Sequence, residues 1–183
     1  MTTPAISTRI EAGTWAIEPT DWTVGFSVQQ LGLITVRGEF TKFSGTLTIP
    51  EAGAPSVRVD IAVDSITTGN DRRDRDLRSA AFFDVDTYPA ATFVTTEQPS
   101  EVDSGQQPSE HALAGELTVK GISRPVVLTI APIADYRPGD TDSMIDVRAQ
   151  TTLHRSDFGV GPRNGLIIGD AIVVAVAVRL HRS

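Results

Sequence analysis

A chain of 183 residues, 40% hydrophobic and 21% charged, is long enough for one domain with a substantial core. Its formal net charge of −7 and scattered basic residues argue against a nucleic-acid backbone or an anionic membrane surface as partner. With no Cys there is no disulfide, thiolate nucleophile or Cys-ligated metal, and the redox compartment stays undetermined. Residues 1–12 are polar, contain Pro4, and read as a flexible tail ahead of one domain over 13–183. They lack the basic start and apolar run of a secretory leader, and 18 apolar residues never run together, so no integral membrane segment and a cytoplasmic location are the expectation.

From Thr14 the apolar period is two. Trp15, Ile17, Trp22, Val24, Phe26 and Val28 alternate with polar or small residues, with a local break at Pro19 and a turn at Gly32. Ile34, Val36 and Phe40, then Leu47 and Ile49, form a second long strand in which Gly38 and Gly45 are placed to allow a bend. Val57, Val59, Ile61 and Val63 give a third. Gly69 and Asn70 then turn the chain into the one helical stretch, over 71–81, where acids come early and Pro and Gly are absent. The spacings Asp71 to Arg75 and Asp74 to Arg78 suit a solvated face, while Leu77, Ala80 and Ala81 share a side that can lie on something apolar.

Beyond Pro89 the strand pattern resumes. Segments 15–30, 35–49, 57–67, 91–96, 112–120, 126–136, 143–155 and 169–180 read as eight strands, with turns at 121–125 and 137–140 and a polar mobile loop over 97–110. Short connections favour antiparallel neighbours, and such a set closes as an up-and-down barrel or stacks as a sandwich. Alternation alone does not separate the two.

Ser65-Ile66-Thr67-Thr68-Gly69-Asn70, followed by Arg73-Asp74, Leu77-Arg78-Ser79, Phe82-Phe83-Asp84-Val85, Tyr88-Pro89 and Thr92-Phe93, resembles the signature of the YceI-like family. The similarity continues through 115–126 and through Arg155-Ser156-Asp157-Phe158-Gly159-Val160, covering about residues 13 to 183. Asp76 and Lys120 stand where that family often has His, and Ala81 where it commonly has Asp. The resemblance implies an all-β, eight-stranded antiparallel lipocalin-like barrel with one inserted helix, binding a polyisoprenoid or related long apolar chain, and it implies a homodimer.

The residues themselves offer little for catalysis. His154, Ser156 and Asp157 are too close on one strand to form a triad, because Asp157 points away from the other two. His111, His154 and His181 are too isolated for a metal motif. Arg155 and Asp157 share a face, which predicts an internal ion pair at a barrel end. Candidate ligand contacts are Phe26, Phe40, Phe43, Phe82, Phe83, Phe93 and Phe158, with Leu77, Leu117, Val174 and Val176, and Arg73 and Arg78 are candidates for a polar head. Gly25, Gly38, Gly115, Ala149, Ala175 and Ala177 would leave interior room if they point inward. The expectation is a non-enzymatic carrier or store of an isoprenoid, quinone or other lipid, without a cofactor of its own. Its rivals are an enzyme using Arg73, Asp74 or Asp157 as acid or base on a similar substrate, and a barrel packed solid for a structural or partner-binding role.

Overall fold

The computed structural model describes residues 10–18, 24–96, 111–131, 133, 144–162 and 168–183. The expected loop over 97–110, the turn at 137–140 and most of the N-terminal tail lie outside them. β1 (Gly13–Glu18) and β2 (Val24–Gln30) are two halves of the first long strand, and β3 (Ile34–Phe40) and β4 (Phe43–Ile49) two halves of the second. β5 (Ser56–Ala62) and the short β6 (Ile66–Thr67) form the third, and α1 (Asp71–Arg78) follows. β7 (Ala90–Thr95), β8 (His111–Val119), β9 (Ile122–Ile130), β10 (Met144–His154) and β11 (Ile168–Arg182) complete the chain.

Each long strand runs antiparallel to its neighbour, and the last meets the first. β11 pairs with β1 from Trp15↔Arg182 to Glu18↔Arg179, and with β2 from Val176↔Val24 to Ile168↔Gln30. That double pairing closes an eight-stranded barrel and rules out the sandwich. Alternating apolar residues then face inward. At one end Trp15, Ile17, Leu47, Ile49, Ile145 and Leu180 pack into a fully buried core. Ile10 joins that core and Glu11 pairs with Arg182 at 2.6 Å, so the part of the tail that is described is packed.

The second strand breaks at Thr41 and Lys42, not at a glycine. There the 3-10 turn Val63–Ser65 replaces the ladder: Lys42 N–H donates to Ser65 Oγ at 3.1 Å, and Ser65 Oγ donates to Ala62 O at 2.6 Å. Gly38 serves a close approach instead, since a Cβ there would overlap the Phe26 ring. The expected turn at 121–125 is tighter than its sequence suggests. Lys120 and Gly121 alone make it, both with positive φ (52° and 72°), and Pro125 sits within β9 opposite Glu116.

The helix is shorter than the expected 71–81. Asn70 caps its start by accepting from Arg73 N–H at 3.0 Å, and Ser79 ends it by turning both its N–H and its hydroxyl onto Asp76 O. Its charges are also arranged differently from a plain solvated face. Asp74 is buried and accepts from Thr67 Oγ1 (3.2 Å), Thr68 N–H (2.9 Å) and Thr68 Oγ1. Arg78, rather than pairing directly with it, donates to Asp64 O (2.8 Å) and Ile66 O (2.7 Å). These bonds fasten the helix to the end of the third strand.

At the same end of the barrel, residues 155–158 form a 3-10 turn in which the expected Arg155–Asp157 ion pair is replaced by another arrangement. Asp157 is exposed, whereas Arg155 is buried and donates to four carbonyls: Gly169 O (3.0 Å), Val160 O (2.9 Å), Pro162 O (2.7 Å) and Ile168 O (2.9 Å). A planar guanidinium can reach several backbone oxygens at once, and this one ties the connection after β10 to the start of β11.

Two outcomes follow for stability. Burial pushes the Asp74 carboxyl up, but the Thr68 and Thr67 hydrogen bonds and the nearby Arg78 charge outweigh it and hold it below its usual 3.8. A carboxyl so lowered contributes its full stability above that value and loses it as pH falls through its folded-state value. Asp74→Asn is therefore expected to cost roughly 1 to 3 kcal/mol at neutral pH in urea unfolding, with the difference from wild type shrinking in acid. Arg155→Lys, whose ammonium cannot reach four divergent carbonyls, is expected to cost roughly 2 to 4 kcal/mol in the same assay at neutral pH.

Candidate functional site

The buried core fills only one end of the barrel. Beyond it the inward faces of the strands, with α1 and the segment that follows, enclose a cavity of about 730 Å³. Ile17, Leu47 and Leu180 of the core form its floor. Its wall is built by the period of two that makes the strands, since nearly every inward position carries Val, Ile, Leu, Phe or a small residue, Gln30 at the end of β2 being an exception.

All the apolar contacts anticipated from sequence border this one cavity. Phe26, Phe40 and Phe43 come from β2, β3 and β4, Phe93 and Leu117 from β7 and β8, and Val174 and Val176 from β11. Leu77 projects from α1, Phe82 and Phe83 follow it, and Phe158 comes from the turn before β11. Three of the rings form a row. Phe26 and Phe40 lie 5.8 Å apart, and Phe83 meets Phe40 edge-on at 5.8 Å and 88°, joining the wall to the segment after the helix.

The two arginines separate. Arg73 borders the cavity, where its Nε donates to Thr68 Oγ1 at 2.7 Å and its Nη2 to Thr68 O at 3.1 Å. Arg78 does not reach the cavity, being held on the carbonyls of Asp64 and Ile66. Among the small residues, Ala149 widens the interior, whereas Gly25, set between the inward Val24 and Phe26, borders the cavity with its backbone and faces outward. Gly38 and Gly115 instead lie under the Phe26 and Phe93 rings. Ala175 and Ala177 face outward, because the alternate residues Val174, Val176 and Val178 are the ones that line the cavity.

Polar residues gather at the helix end. Asn70, Arg72, Asp76 and Ser79 are exposed and border the cavity, marking its mouth. Sequence reasoning missed them as site residues because nothing local says which side of a short helix faces a barrel opening. Val59, Ile61, Val147, Leu153 and Ile172 also line the wall and were legible in the alternation, although no aromatic ring drew attention to them.

Asp170, and not Asp157, joins His154 and Ser156. Its carboxylate accepts from Ser156 Oγ at 2.8 Å and from Ser156 N–H at 3.0 Å, with His154 Nδ1 at 3.4 Å. Burial raises this carboxyl, but those bonds and the neighbouring His154 and Arg155 bring it below the usual range. The carboxylate stands between hydroxyl and imidazole, whereas a nucleophilic serine needs the imidazole beside its own oxygen. This trio latches a turn on the outer surface. Among the described residues no cluster of His, Asp or Glu is arranged to hold a metal, and no helix is long and apolar enough to cross a membrane.

Comparison with known proteins agrees with the geometry. A UPF0312 protein of Pectobacterium atrosepticum is 31% identical over 146 residues, 75% of this chain and 69% of that protein. Protein YceI of Salmonella arizonae is 38% identical over 107 residues, 57% of this chain, so the match spans about half of that relative, 53% of its length. Among solved structures, Burkholderia cenocepacia BcnA superposes with a TM-score of 0.75 at 21% identity, covering 89% of this chain and 98% of that one. A polyisoprenoid binding domain from Saccharophagus degradans, implicated in plant cell wall breakdown, does so at 0.67 and 16% identity, covering 92% and 98%. These likenesses share the barrel, and the YceI-like domain model itself matches residues 15–180: the chain belongs to the YceI-like domain family.

Proposed function

We propose that this protein is a non-enzymatic carrier or store that encloses one polyisoprenoid or similar long apolar chain in its barrel. The observation that carries this reading is the apolar cavity of about 730 Å³ above a packed floor. A cavity of about 150 Å³ accommodates one benzene, so this one suits on the order of 25 to 30 carbons, or about five or six isoprene units. Each buried CH₂ contributes about 0.8 kcal/mol before ordering costs are subtracted. The likeness to a domain described as polyisoprenoid binding supports the same ligand class. A polar head would sit at the mouth, where Arg72 and Arg73 supply cationic donors and Asn70 an amide.

The alternative of an enzyme acting on such a chain draws no support from its two carboxylate candidates. A general acid in a dry cavity needs a carboxyl raised toward neutrality. Asp74 is instead lowered by its hydrogen bonds and does not border the cavity, and Asp157 is exposed.

Prenyl alcohols of increasing length, titrated by displacement of a fluorescent apolar probe, are expected to bind more tightly with each added unit up to about 25 carbons and then to level off. Ala149→Phe, which puts a ring into the cavity above its floor, is expected to move that plateau to a chain at least one isoprene unit shorter. Absence of binding at every length would overturn the carrier reading, and affinity independent of both length and Ala149→Phe would place the ligand outside the barrel.

A further inference from the structure

The wall between β9 and β10 is not zipped along its length. Register between them is confined to Ala149↔Ile130 and Gln150↔Thr129, with Ala131 N–H donating to Arg148 O just below. Toward the helix end, residues 151–154 of β10 and 122–128 of β9 are strand on both sides, yet no register pair joins them. On their other edges the same strands are fully laddered, β10 to β11 from Met144 to His154 and β9 to β8 from Ile122 to Ile130.

Pro125 gives this gap a local cause. The two-residue turn sets Val119 opposite Ile122, so even-numbered amides of β9 point to β8 and odd-numbered ones to β10, as Ala131 N–H does. Continuing the β9–β10 register would set Pro125 opposite His154, at a position where the ladder requires the missing proline N–H. The gap is bordered on both sides. Outside it lies a groove of about 200 Å³ bounded by Val127, Thr129, Gln150, Thr152 and Val173, with Val127 37% and Val173 45% exposed. Inside, Val126, Leu128 and Leu153 line the main cavity, and Thr151 borders cavity and groove alike.

We propose that the β9–β10 seam is a lateral port through which an apolar chain passes into and out of the cavity. The proposal rests on the carrier reading above. A long chain admitted end-on has to thread past Asn70 and the charged Arg72 and Asp76 at the mouth, whereas a chain admitted sideways meets Val127 and Val173 among uncharged threonines and Gln150 and needs no ladder bond broken at residues 151–154.

Because the chain has no Cys, a single disulfide can staple the seam. Val127→Cys with Thr152→Cys places both sulfurs on the outer face of positions that a closed ladder would hold about 5.5 Å apart, within disulfide range. Arg148→Cys with Ala177→Cys, a pair on the outer face away from the groove, staples the already paired β10–β11 ladder as a control. Loading and release of a dansyl-labelled prenyl chain are followed by stopped-flow fluorescence with each protein oxidised and reduced. The oxidised seam staple is expected to slow both processes at least tenfold with final occupancy unchanged, the reductant to restore them, and the control to behave alike in both states. Pro125→Val, which restores the donor, is expected to slow loading several-fold while the amides of residues 125 and 127 gain protection from hydrogen exchange. Equal rates in the oxidised and reduced seam staple, with the bond verified by mass, overturn the port. If the bond does not form, Pro125→Val decides: protected amides with an unchanged rate overturn it equally. Failure of even the reduced proteins and the wild type to take up the chain overturns the carrier reading, and the port with it.

Discussion

The barrel closes through β11, whose free edge is shared by β1 at one end and β2 at the other. Once those ladders form, the sheet is closed on itself, with unpaired edge only along the upper β9–β10 seam, and the inward residues of every strand are committed to a common interior. That interior is taller than its side chains can fill. Trp15, Ile145 and the residues around them close one end completely, while farther up the small Ala149 leaves room between the walls. An apolar void forfeits dispersion contacts along its whole lining, and an apolar chain laid into it restores them while leaving water itself.

The charged groups near the cavity are largely occupied with backbone. Where the third strand gives way to the helix, and where β10 gives way to β11, the chain leaves the ladder and its polar groups need other partners. Asp74 and Arg78 supply them at the first junction and Arg155 at the second. The family signature in this chain is thus in good part a description of joints, which hold the helix and the 155–158 turn against the barrel end. It leaves the wall to be almost purely apolar, a surface suited to binding by length and shape and poorly suited to bond-making chemistry.

Much of this was legible in the sequence. Period-two alternation located the strands, and the inward rows of valines and phenylalanines follow from it directly, so Phe26, Phe40, Phe93, Val174 and Val176 could be assigned together. What resisted reading depended on contacts distant in sequence. The spacing of Asp74 and Arg78 looked like a surface pair because nothing nearby tells that Thr67 and Thr68 fold back over the carboxylate. Asp170 was invisible as the partner of Ser156 because it lies on the next strand. Pro125 suggested a turn by its usual habit, whereas the positive φ of Lys120 and Gly121 had already made one, leaving the proline to act on the ladder instead.

The most direct test of the account is native mass spectrometry of the protein purified from a lipid-rich host, recorded before and after denaturation. The account predicts an adduct of discrete mass that is released on unfolding and fragments as a long hydrocarbon chain. A bare protein mass that stays unchanged after incubation with prenyl chains of several lengths would contradict it, and would mean that the barrel holds its shape without a guest.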